Sequence, residues 1–317
     1  MNLRIGSRGS QLALWQATHI AALLRAKGHT VEIEIIKTTG DRLQEVTFAQ
    51  VGSKGMFTKE IEEALVEGRV DFAVHSLKDL PTELPGPFAL AATPKRVDPR
   101  DVLVSAKYAS LAELPQDAVV GTSSQRRRAQ LLAVRPDIKT VEFRGNVDTR
   151  LRKLAEGQVD AILLAAAGLD RLEKTEWVRE RLEPKDFCPA AGQGSLGIET
   201  RKDDAAVISA IAFLDDAATR YAVTAERAAL AALGGGCQVP IGIHCRPVPQ
   251  NEAGDQYEIF GVVANPVTGE AVRVRHEARR SEMNADALGR KVAHKLITAG
   301  AGPLLEATVQ PPAGASA

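Results

Sequence analysis

Two similar stretches of sequence, EGRVDFAV at residues 67–74 and EGQVDAIL at residues 156–163, indicate how this chain folds. In each stretch a glycine follows a helix-like segment, as expected where a helix ends in a left-handed residue. The apolar run after the aspartate is typical of a short buried strand. We therefore predict two lobes that share one order of strands and helices.

The sequence around both stretches alternates between strand-like and helix-like patterns. An apolar helical pattern runs through Leu12, Trp15, Ile20 and Leu24. The other predicted elements are the strands LRIGS (3–7), VEIEIIKT (31–38) and TVEFRG (140–145), a strand ending at Gly121, and helices over residues 59–67 and 125–135. This alternation predicts a parallel sheet in each lobe, with ligands binding beyond the carboxyl ends of the strands. Hinge-linked lobes of this kind resemble the periplasmic binding proteins.

The sequence changes character from about Ala217. A helix-like segment leads to GGGC, after which come the strand-like runs VPIGIHC (239–245), YEIFGVV (257–263) and AVRVRHEA (271–278), and a closing helix near residues 285–297. These elements predict a small α+β domain. We place domain 1 at residues 1–95 and 195–213, domain 2 at 100–190, domain 3 at 217–310, and a disordered tail at 311–317.

The composition of the 317 residues excludes several classes of protein. Lys and Arg together number 40, as do Asp and Glu, so no overall charge recruits nucleic acid or an anionic membrane. The longest apolar run, residues 161–169, is too short to span a bilayer, and the N-terminus shows no secretory signal. Three widely spaced cysteines fit a reducing cytoplasm better than a disulfide framework.

Basic and hydroxyl side chains concentrate where strands are predicted to end. They are Arg8, Ser10, Lys78, Thr122, Ser123, Ser124, Arg126, Arg127, Arg144, Arg150 and Arg171. Hydroxyls and free backbone N–H groups at a helix start, with guanidinium groups nearby, suit carboxylate or phosphate binding. The alternative is a solvated basic helix face, which stays open for Arg128. Nucleic acid is a weaker ligand because these stretches lack interleaved aromatic residues.

Two further residues are candidates for chemistry. Asp79, in HSLKDLP (75–81), could stabilise a cation or move a proton, or it could be an ordinary loop acid paired with Lys78. Cys237 follows three glycines and could be a nucleophile or an attachment point, although most cysteines are simply buried.

The remaining cysteines and two histidines are assigned structural roles. We expect Cys188 and Cys245 to be buried, and His75 and His244 to support the fold. A zinc site is not expected because the spacing around Cys237 is irregular and no fourth ligand is evident.

The motif GQGSLG (192–197) matches the dinucleotide fingerprint G-x-G-x-x-G letter for letter. The preceding DFCPAA contains proline and does not resemble a buried strand. Since the fingerprint needs a strand before it and a helix after it, we reject a nicotinamide site here.

Seven motifs resemble, in order, those of porphobilinogen deaminases: VGSKGMFTKEIEEAL, HSLKDLP, GTSSQRRRAQL, FRGNVDTRL, AAGLDRL, PAAGQGSLGIE and GGGCQVPIG. The resemblance implies two lobes like those of type II periplasmic binding proteins around a cleft, and a third domain carrying the cofactor loop. It implies a monomeric cytoplasmic transferase of porphyrin and haem biosynthesis, with no metal. Four porphobilinogen molecules would be joined head to tail, with loss of four ammonia, before hydrolysis frees hydroxymethylbilane.

The resemblance also implies a role for each candidate residue. Cys237 matches the cysteine that bonds a dipyrromethane cofactor through a thioether, and Asp79 matches the catalytic aspartate. The residues that match those holding the acetate and propionate groups of the cofactor and growing polypyrrole are Arg8, Ser10, Lys78, Thr122, Ser123, Ser124, Arg126, Arg127, Arg144 and Arg150. Arg171 matches another cleft arginine, and Lys54 and Phe57 match a mobile loop.

Two other classes of function stay open on the residues alone. One is a two-lobed binding protein for a small carboxylate, which would leave GGGCQVPIG unexplained. The other is a nucleic-acid-binding regulator that uses QRRRAQLLAVR, against which the overall neutrality argues.

Overall fold

The computed structural model describes residues 1–39, 58–235, 239–248 and 255–309. The strands are β1 (Asn2–Ser7), β2 (Thr30–Ile35), β3 (Phe72–Ser76), β4 (Phe88–Ala92), β5 (Asp101–Val104), β6 (Val119–Gly121), β7 (Lys139–Val141), β8 (Ala161–Ala165), β9 (Val178–Arg181), β10 (Leu196–Arg201), β11 (Ile241–Pro247), β12 (Gln256–Ala264) and β13 (Ala271–Arg279). The α-helices are α1 (Gln11–Arg25), α2 (Lys59–Val66), α3 (Gln125–Val134), α4 (Val147–Ala155), α5 (Ala166–Arg171), α6 (Ala205–Ile211), α7 (Ala217–Ala232), α8 (Ala285–Leu296) and α9 (Gly302–Val309).

The chain forms two compact units, each assembled from several segments. The first unit comprises Met1–Pro99, Ala166–Thr175 and Gly192–Arg220, and the second comprises Arg100–Ala165, Glu176–Ala191 and the described part of Tyr221–Ala317. The second unit contains both the second sheet and the C-terminal sheet. The predicted division into three domains therefore stays a prediction.

Each unit contains a five-stranded sheet of the same design. The strand order is β2-β1-β3-β10-β4 in the first unit and β7-β6-β8-β5-β9 in the second. One strand of each sheet runs against the others: β10 is antiparallel to β3 and β4, and β5 is antiparallel to β8 and β9. The expectation of parallel sheets was wrong for this strand, because it enters each sheet from a connecting segment rather than from a strand–helix–strand unit.

The two stretches that predicted the repeat occupy equivalent positions. The carboxylate of Asp71 accepts from the backbone N–H of Arg4 at 2.7 Å, and that of Asp160 accepts from the backbone N–H of Val119 at 2.8 Å. Each aspartate thus ties the start of β3 or β8 to the neighbouring parallel strand. The predicted repeat of two α/β lobes is confirmed.

The helices that precede β3 and β8 each end, as predicted, at a left-handed glycine. Gly68 and Gly157 have φ angles of 68° and 76°, the left-handed conformation of a glycine just beyond a helix. In the first lobe, α1 packs on the sheet through a core that includes Leu3, Ile20 and Phe72. Trp15, expected in this apolar face, is not part of that core among the described residues.

The C-terminal region is an antiparallel sheet of order β11-β12-β13, covered on one face by α7 and α8. Tyr257, Ile259 and Val263 of β12 point into the core on this face. Phe260 and Val262 pack on the other face, against residues that include Ala129 of α3. The predicted strands, closing helix and α+β character are confirmed.

Helices α7 and α8 touch through a glycine. A Cβ atom added to Gly289 would lie 2.2 Å from the carbonyl oxygen of Ala225 and 2.8 Å from the Cβ of Ala228. Only a residue without a side chain allows this approach. The contact fixes α7, the helix that precedes the glycine-rich segment 234–237.

We expect Gly289→Ala to lower the free energy of unfolding by about 1–3 kcal/mol, because the new methyl group forces the two helices apart. Gly302→Ala is the matched control: nothing lies within 4 Å of its added Cβ, and its φ of −53° suits alanine. The control should be neutral or stabilising by up to about 1 kcal/mol. Urea denaturation of both variants tests this, and equal effects would contradict the proposed contact.

Candidate functional site

Asp79 lies on a short turn that the buried side chains of Leu77 and Leu80 anchor. The turn is a 3-10 helix, Leu77–Asp79, which directly follows β3. Leu77 and Leu80 are buried, and the Leu77 backbone N–H donates to the carbonyl oxygen of Ser195 at 3.0 Å. Asp79 itself is exposed. The carboxylate therefore projects into solvent from a backbone that is held in place.

The glycines of residues 192–197 fit against this turn. A Cβ on Gly192 would lie 3.1 Å from Leu77 Cγ, and one on Gly197 would lie 2.9 Å from Leu77 Cδ1. Gly192 also has a φ of 74°. The motif leads into strand β10 and not into a helix, so the strand–turn–helix context of the dinucleotide fingerprint is not formed here. Close packing against the aspartate turn explains these glycines.

Gln193, within the same motif, contacts the side chain of Lys78. The Lys78 Nζ lies 3.4 Å from Gln193 Oε1, a long hydrogen bond, and Gln193 Nε2 donates to the carbonyl oxygen of Pro99 at 2.8 Å. Arg96 Nε donates to the Gln193 backbone oxygen at 2.8 Å. Sequence reasoning missed Gln193 because it explained the motif only by its glycines.

Three hydroxyl residues line the end of β6 in the second unit. Each accepts a backbone N–H: Thr122 from Ser124 at 3.2 Å, Ser123 from Phe143 at 3.2 Å, and Ser124 from Arg127 at 3.4 Å. These bonds hold the turn at the start of α3. Since a hydroxyl can also donate its own hydrogen, this role is compatible with binding an anion.

A buried carboxylate is shared by two neighbouring arginines of α3. Asp101 is fully buried and accepts from Arg126 Nη1 at 2.6 Å and from Arg127 Nε at 2.9 Å. Arg126 also donates to the carbonyl oxygen of Cys188 at 2.6 Å, and Arg127 donates to that of Leu163 at 3.1 Å. Burial lowers the pKa of Arg127, although Asp101 acts to raise it.

Asp101 was not foreseen from the sequence, where it is one acid at the start of an apolar run. The contacts of Arg126 engage much of its guanidinium group within the protein. Its role in holding a ligand carboxylate stays a prediction.

Arg150 on α4 is a cation with little compensation from the described residues around it. Its Nε is buried and has no hydrogen-bond partner among the described residues. Burial, together with repulsion from Arg127 and Arg144, lowers the pKa of Arg150 to about 10. Arg144 donates to Glu142 at 2.7 Å. Arg150 thus lies beside other cations without a carboxylate of its own.

Arg128 differs from the expected exposed helix face. It is half-buried, and its Nε lacks a hydrogen-bond partner within the described residues. Three arginines in a row are therefore all at least partly covered.

The first unit contains the other predicted binding residues. Arg8 follows β1 and is half-buried, and Ser10 caps α1 by accepting from the Ala13 N–H at 3.3 Å. Arg171, at the end of α5, is buried and donates from Nη2 to the Gly194 carbonyl oxygen at 2.9 Å. Burial lowers the pKa of Arg171 to about 10.

Three of the predicted site residues, Lys54, Phe57 and Cys237, lie outside the described residues. Of the groups assigned to structure, His75 Nε2 lies 2.9 Å from Glu199 Oε2, and both side chains are buried.

His244 is also buried, with Nδ1 3.3 Å from Glu226 Oε1. Cys188 and Cys245 are buried as predicted. Burial raises the pKa of Cys188 to about 12, which makes it a poor nucleophile.

Among the described residues, no group of three or more His, Cys, Asp or Glu side chains is arranged to hold a metal ion. No helix there is both long and apolar enough to cross a bilayer.

Comparison with solved structures finds proteins of the periplasmic-binding type. A methionine-binding protein covers 67% of this chain and 89% of its own length, with a TM-score of 0.43 and 14% identity. The periplasmic VFT2 domain of Bordetella pertussis BvgS covers 67% of this chain and 85% of its own length, with a TM-score of 0.41 and 14% identity.

Comparison of sequences is more decisive. Residues 3–209 match the family model described as porphobilinogen deaminase, dipyromethane cofactor binding domain, and residues 220–298 match that of the porphobilinogen deaminase C-terminal domain. A porphobilinogen deaminase of Trichlorobacter lovleyi is 49% identical over 97% of both chains. One of Chromobacterium violaceum is 49% identical over 97% of this chain and 98% of its own. This chain belongs to the porphobilinogen deaminase family.

Proposed function

We propose that this chain is a transferase that joins four porphobilinogen molecules head to tail on a dipyrromethane bonded to Cys237. Each addition releases ammonia, and hydrolysis frees hydroxymethylbilane for porphyrin and haem biosynthesis. Family membership supports this proposal, since the matched model over residues 3–209 is that of a dipyrromethane-binding domain.

The single observation that carries the proposal is the uncompensated positive charge at Arg150. A partly buried guanidinium group with no carboxylate partner among the described residues, repelled by Arg127 and Arg144, is unfavourable by itself. A ligand with several carboxylates would remove this penalty. Porphobilinogen carries two carboxylates, so every added pyrrole ring brings more negative charge.

The side chains present fit a dipyrromethane, whose acetate and propionate groups are carboxylates. The residues that would hold those groups are Arg8, Ser10, Lys78, Thr122, Ser123, Ser124, Arg126, Arg127, Arg144 and Arg150. When bound, the dipyrromethane supplies the primer to which the first substrate is joined. Guanidinium groups can bind carboxylates through two parallel hydrogen bonds, which fixes the orientation of each ring. Arg171, Lys54 and Phe57 would contact the substrate or growing chain.

Asp79 would act on the reacting pyrrole. Its exposed carboxylate, on a turn anchored by Leu77 and Leu80, can accept a hydrogen bond from a pyrrole N–H. It can also offset the positive charge that develops when ammonia leaves and exchange a proton with the leaving group. Lys78, next to it, would hold a carboxylate of the same ligand.

We also infer that the protein works as a monomer in the cytoplasm, without nucleic acid or a membrane as partner. Equal numbers of acidic and basic residues support the absence of a general affinity for polyanions.

Replacing Arg150 should separate stability from function. In a Cys237→Ser background, we expect Arg150→Ala to leave the free energy of unfolding unchanged or to raise it by up to about 2 kcal/mol, since an unpaired cation disappears. In the holoenzyme the same change should raise KM for porphobilinogen about tenfold to a hundredfold, through loss of charge-assisted hydrogen bonds.

The matched control is Arg152→Ala on the same helix, where the side chain is exposed and paired with Glu156. Arg152→Ala should change neither the free energy of unfolding nor KM for porphobilinogen appreciably. Steady-state kinetics and urea denaturation provide the two measurements, and an Arg150 variant that loses stability while keeping its KM would contradict the proposed role.

Replacing Asp79 should remove chemistry without removing the cofactor. We expect Asp79→Ala and Asp79→Asn to lower kcat by about a hundredfold to ten-thousandfold, the usual effect of losing a positioned acid–base group. The intact mass should still include the dipyrromethane. Glu83→Ala, an exposed acid of the same loop, is the control and should retain wild-type kcat. Near-normal turnover by Asp79→Ala would refute the role given to Asp79.

Replacing Cys237 should abolish covalent attachment. Under denaturing conditions, the intact mass of the wild-type protein should exceed that of the bare chain by two deaminated porphobilinogen units. Cys237→Ser should lack this excess, whereas Cys245→Ser, a buried cysteine of the same region, should keep it. Pyrroles still bonded to the Cys237→Ser chain would show that the anchor lies elsewhere.

A further inference from the structure

Arg171 is a buried cation whose contacts within the described residues are unusual. Only 7% of its surface is exposed, one Nη2–H···O bond reaches the carbonyl oxygen of Gly194, and its Nε has no partner. No described carboxylate forms an ion pair with it. Leaving a charge in this state is unfavourable unless something else stabilises it.

The charge of Asp170 favours the protonated guanidinium group, and the indole of Trp15 supplies a second stabilising contact. The central carbon of the Arg171 guanidinium lies 5.8 Å from the centroid of the Trp15 ring, within the range of cation–π attraction. Trp15 is on α1 and Arg171 ends α5, so two separate helices meet at this contact. A planar guanidinium group against an aromatic face is restricted in orientation as well as stabilised.

Packing alone does not account for Trp15. The core-facing residues of α1 are Ala17, Ile20, Ala21 and Leu24, and Trp15 is half-buried outside that cluster.

One turn further along α1, the ring of His19 stacks on the indole of Trp15 at 5.1 Å with an interplanar angle of 9°. Burial, and then the charge of Arg171, lower the pKa of His19, which favours the neutral imidazole beside the cation. The indole therefore has Arg171 as its charged partner.

We infer that Trp15 is a positioning residue: its indole holds the Arg171 guanidinium so that Gly194 takes one N–H and the others face a substrate carboxylate. The inference rests on the proposed function for the identity of that carboxylate. It assigns Trp15 an effect on substrate binding, although Trp15 itself need not touch the substrate.

The kinetic test uses the holoenzyme and the variants Trp15→Ala and Trp15→Phe. Trp15→Ala should raise KM for porphobilinogen about threefold to thirtyfold, the equivalent of one cation–π contact, with kcat within about twofold of wild type. Trp15→Phe, which keeps an aromatic face, should recover most of this loss. Trp177→Ala, at the other tryptophan of the chain, is the matched control and should leave KM unchanged.

A double-mutant cycle separates positioning from general structural damage. In an Arg171→Ala background, Trp15→Ala should change KM by less than about twofold, because its partner is already gone. An effect of Trp15→Ala that is equally large with and without Arg171 would overturn the inference. The inference would also be overturned if Trp15→Phe and Trp15→Ala lowered Tm but left KM unchanged.

A spectroscopic measurement tests the contact without any substrate. In a Trp177→Phe background, Trp15 is the sole tryptophan, and its emission maximum reports on the adjacent positive charge. Arg171→Gln should shift that maximum, and Arg171→Lys should shift it less. Identical emission in all three proteins would refute the contact, whereas failure of the proposed function would instead appear as a missing dipyrromethane mass and no turnover.

Discussion

The sharing of one buried carboxylate, Asp101, by Arg126 and Arg127 is the interaction on which the basic region of the second unit depends. A single negative charge allows two guanidinium groups to be buried side by side, but it does not neutralise both of them. Burial lowers the pKa of Arg150, and repulsion from Arg127 acts in the same direction. The fold therefore holds a concentrated positive charge that a polycarboxylate can compensate.

The two lobes share one scaffold but differ in the segments that connect its strands. The backbone of each is tied by an equivalent aspartate, Asp71 or Asp160, and each sheet has the same strand order. The segments that follow the equivalent strands β3 and β8 differ completely. After β3 comes a tight turn that exposes Asp79, and after β8 comes a short helix that buries Arg171. Function thus resides in the connections, where sequence can vary without disturbing the sheet.

The sequence predicted what depends on local pattern. The repeated stretches, the glycines after the helices, the C-terminal strands and the polar ends of strands were all recognisable from periodicity and turn chemistry. The strand TVEFRG was predicted too long: β7 ends at Val141, and the Phe143 N–H bonds to the side chain of Ser123 instead of continuing the sheet. Side-chain competition of this kind leaves no periodic signal.

Long-range partners were the other class of failure. Asp101 precedes an apolar strand and has nothing in its neighbourhood to indicate two arginines 25 and 26 residues away. Gln193 was hidden by a motif whose glycines suggested a nucleotide, and Trp15 matched a core pattern although it contacts Arg171. Each of these contacts depends on how distant segments meet, which a window of sequence does not contain.

The chain is neutral as a whole, whereas positive charge is concentrated around a few buried arginines. Since acidic and basic residues balance, long-range attraction toward nucleic acid or other polyanions is small. Under the proposed function, affinity would come from locally buried arginines such as Arg150 and Arg171, whose pKa values burial lowers. Desolvation makes these cations unfavourable without a ligand and makes their hydrogen bonds to a correctly placed carboxylate stronger. We therefore infer that burial of these cations, rather than net charge, favours a ligand that carries several carboxylates.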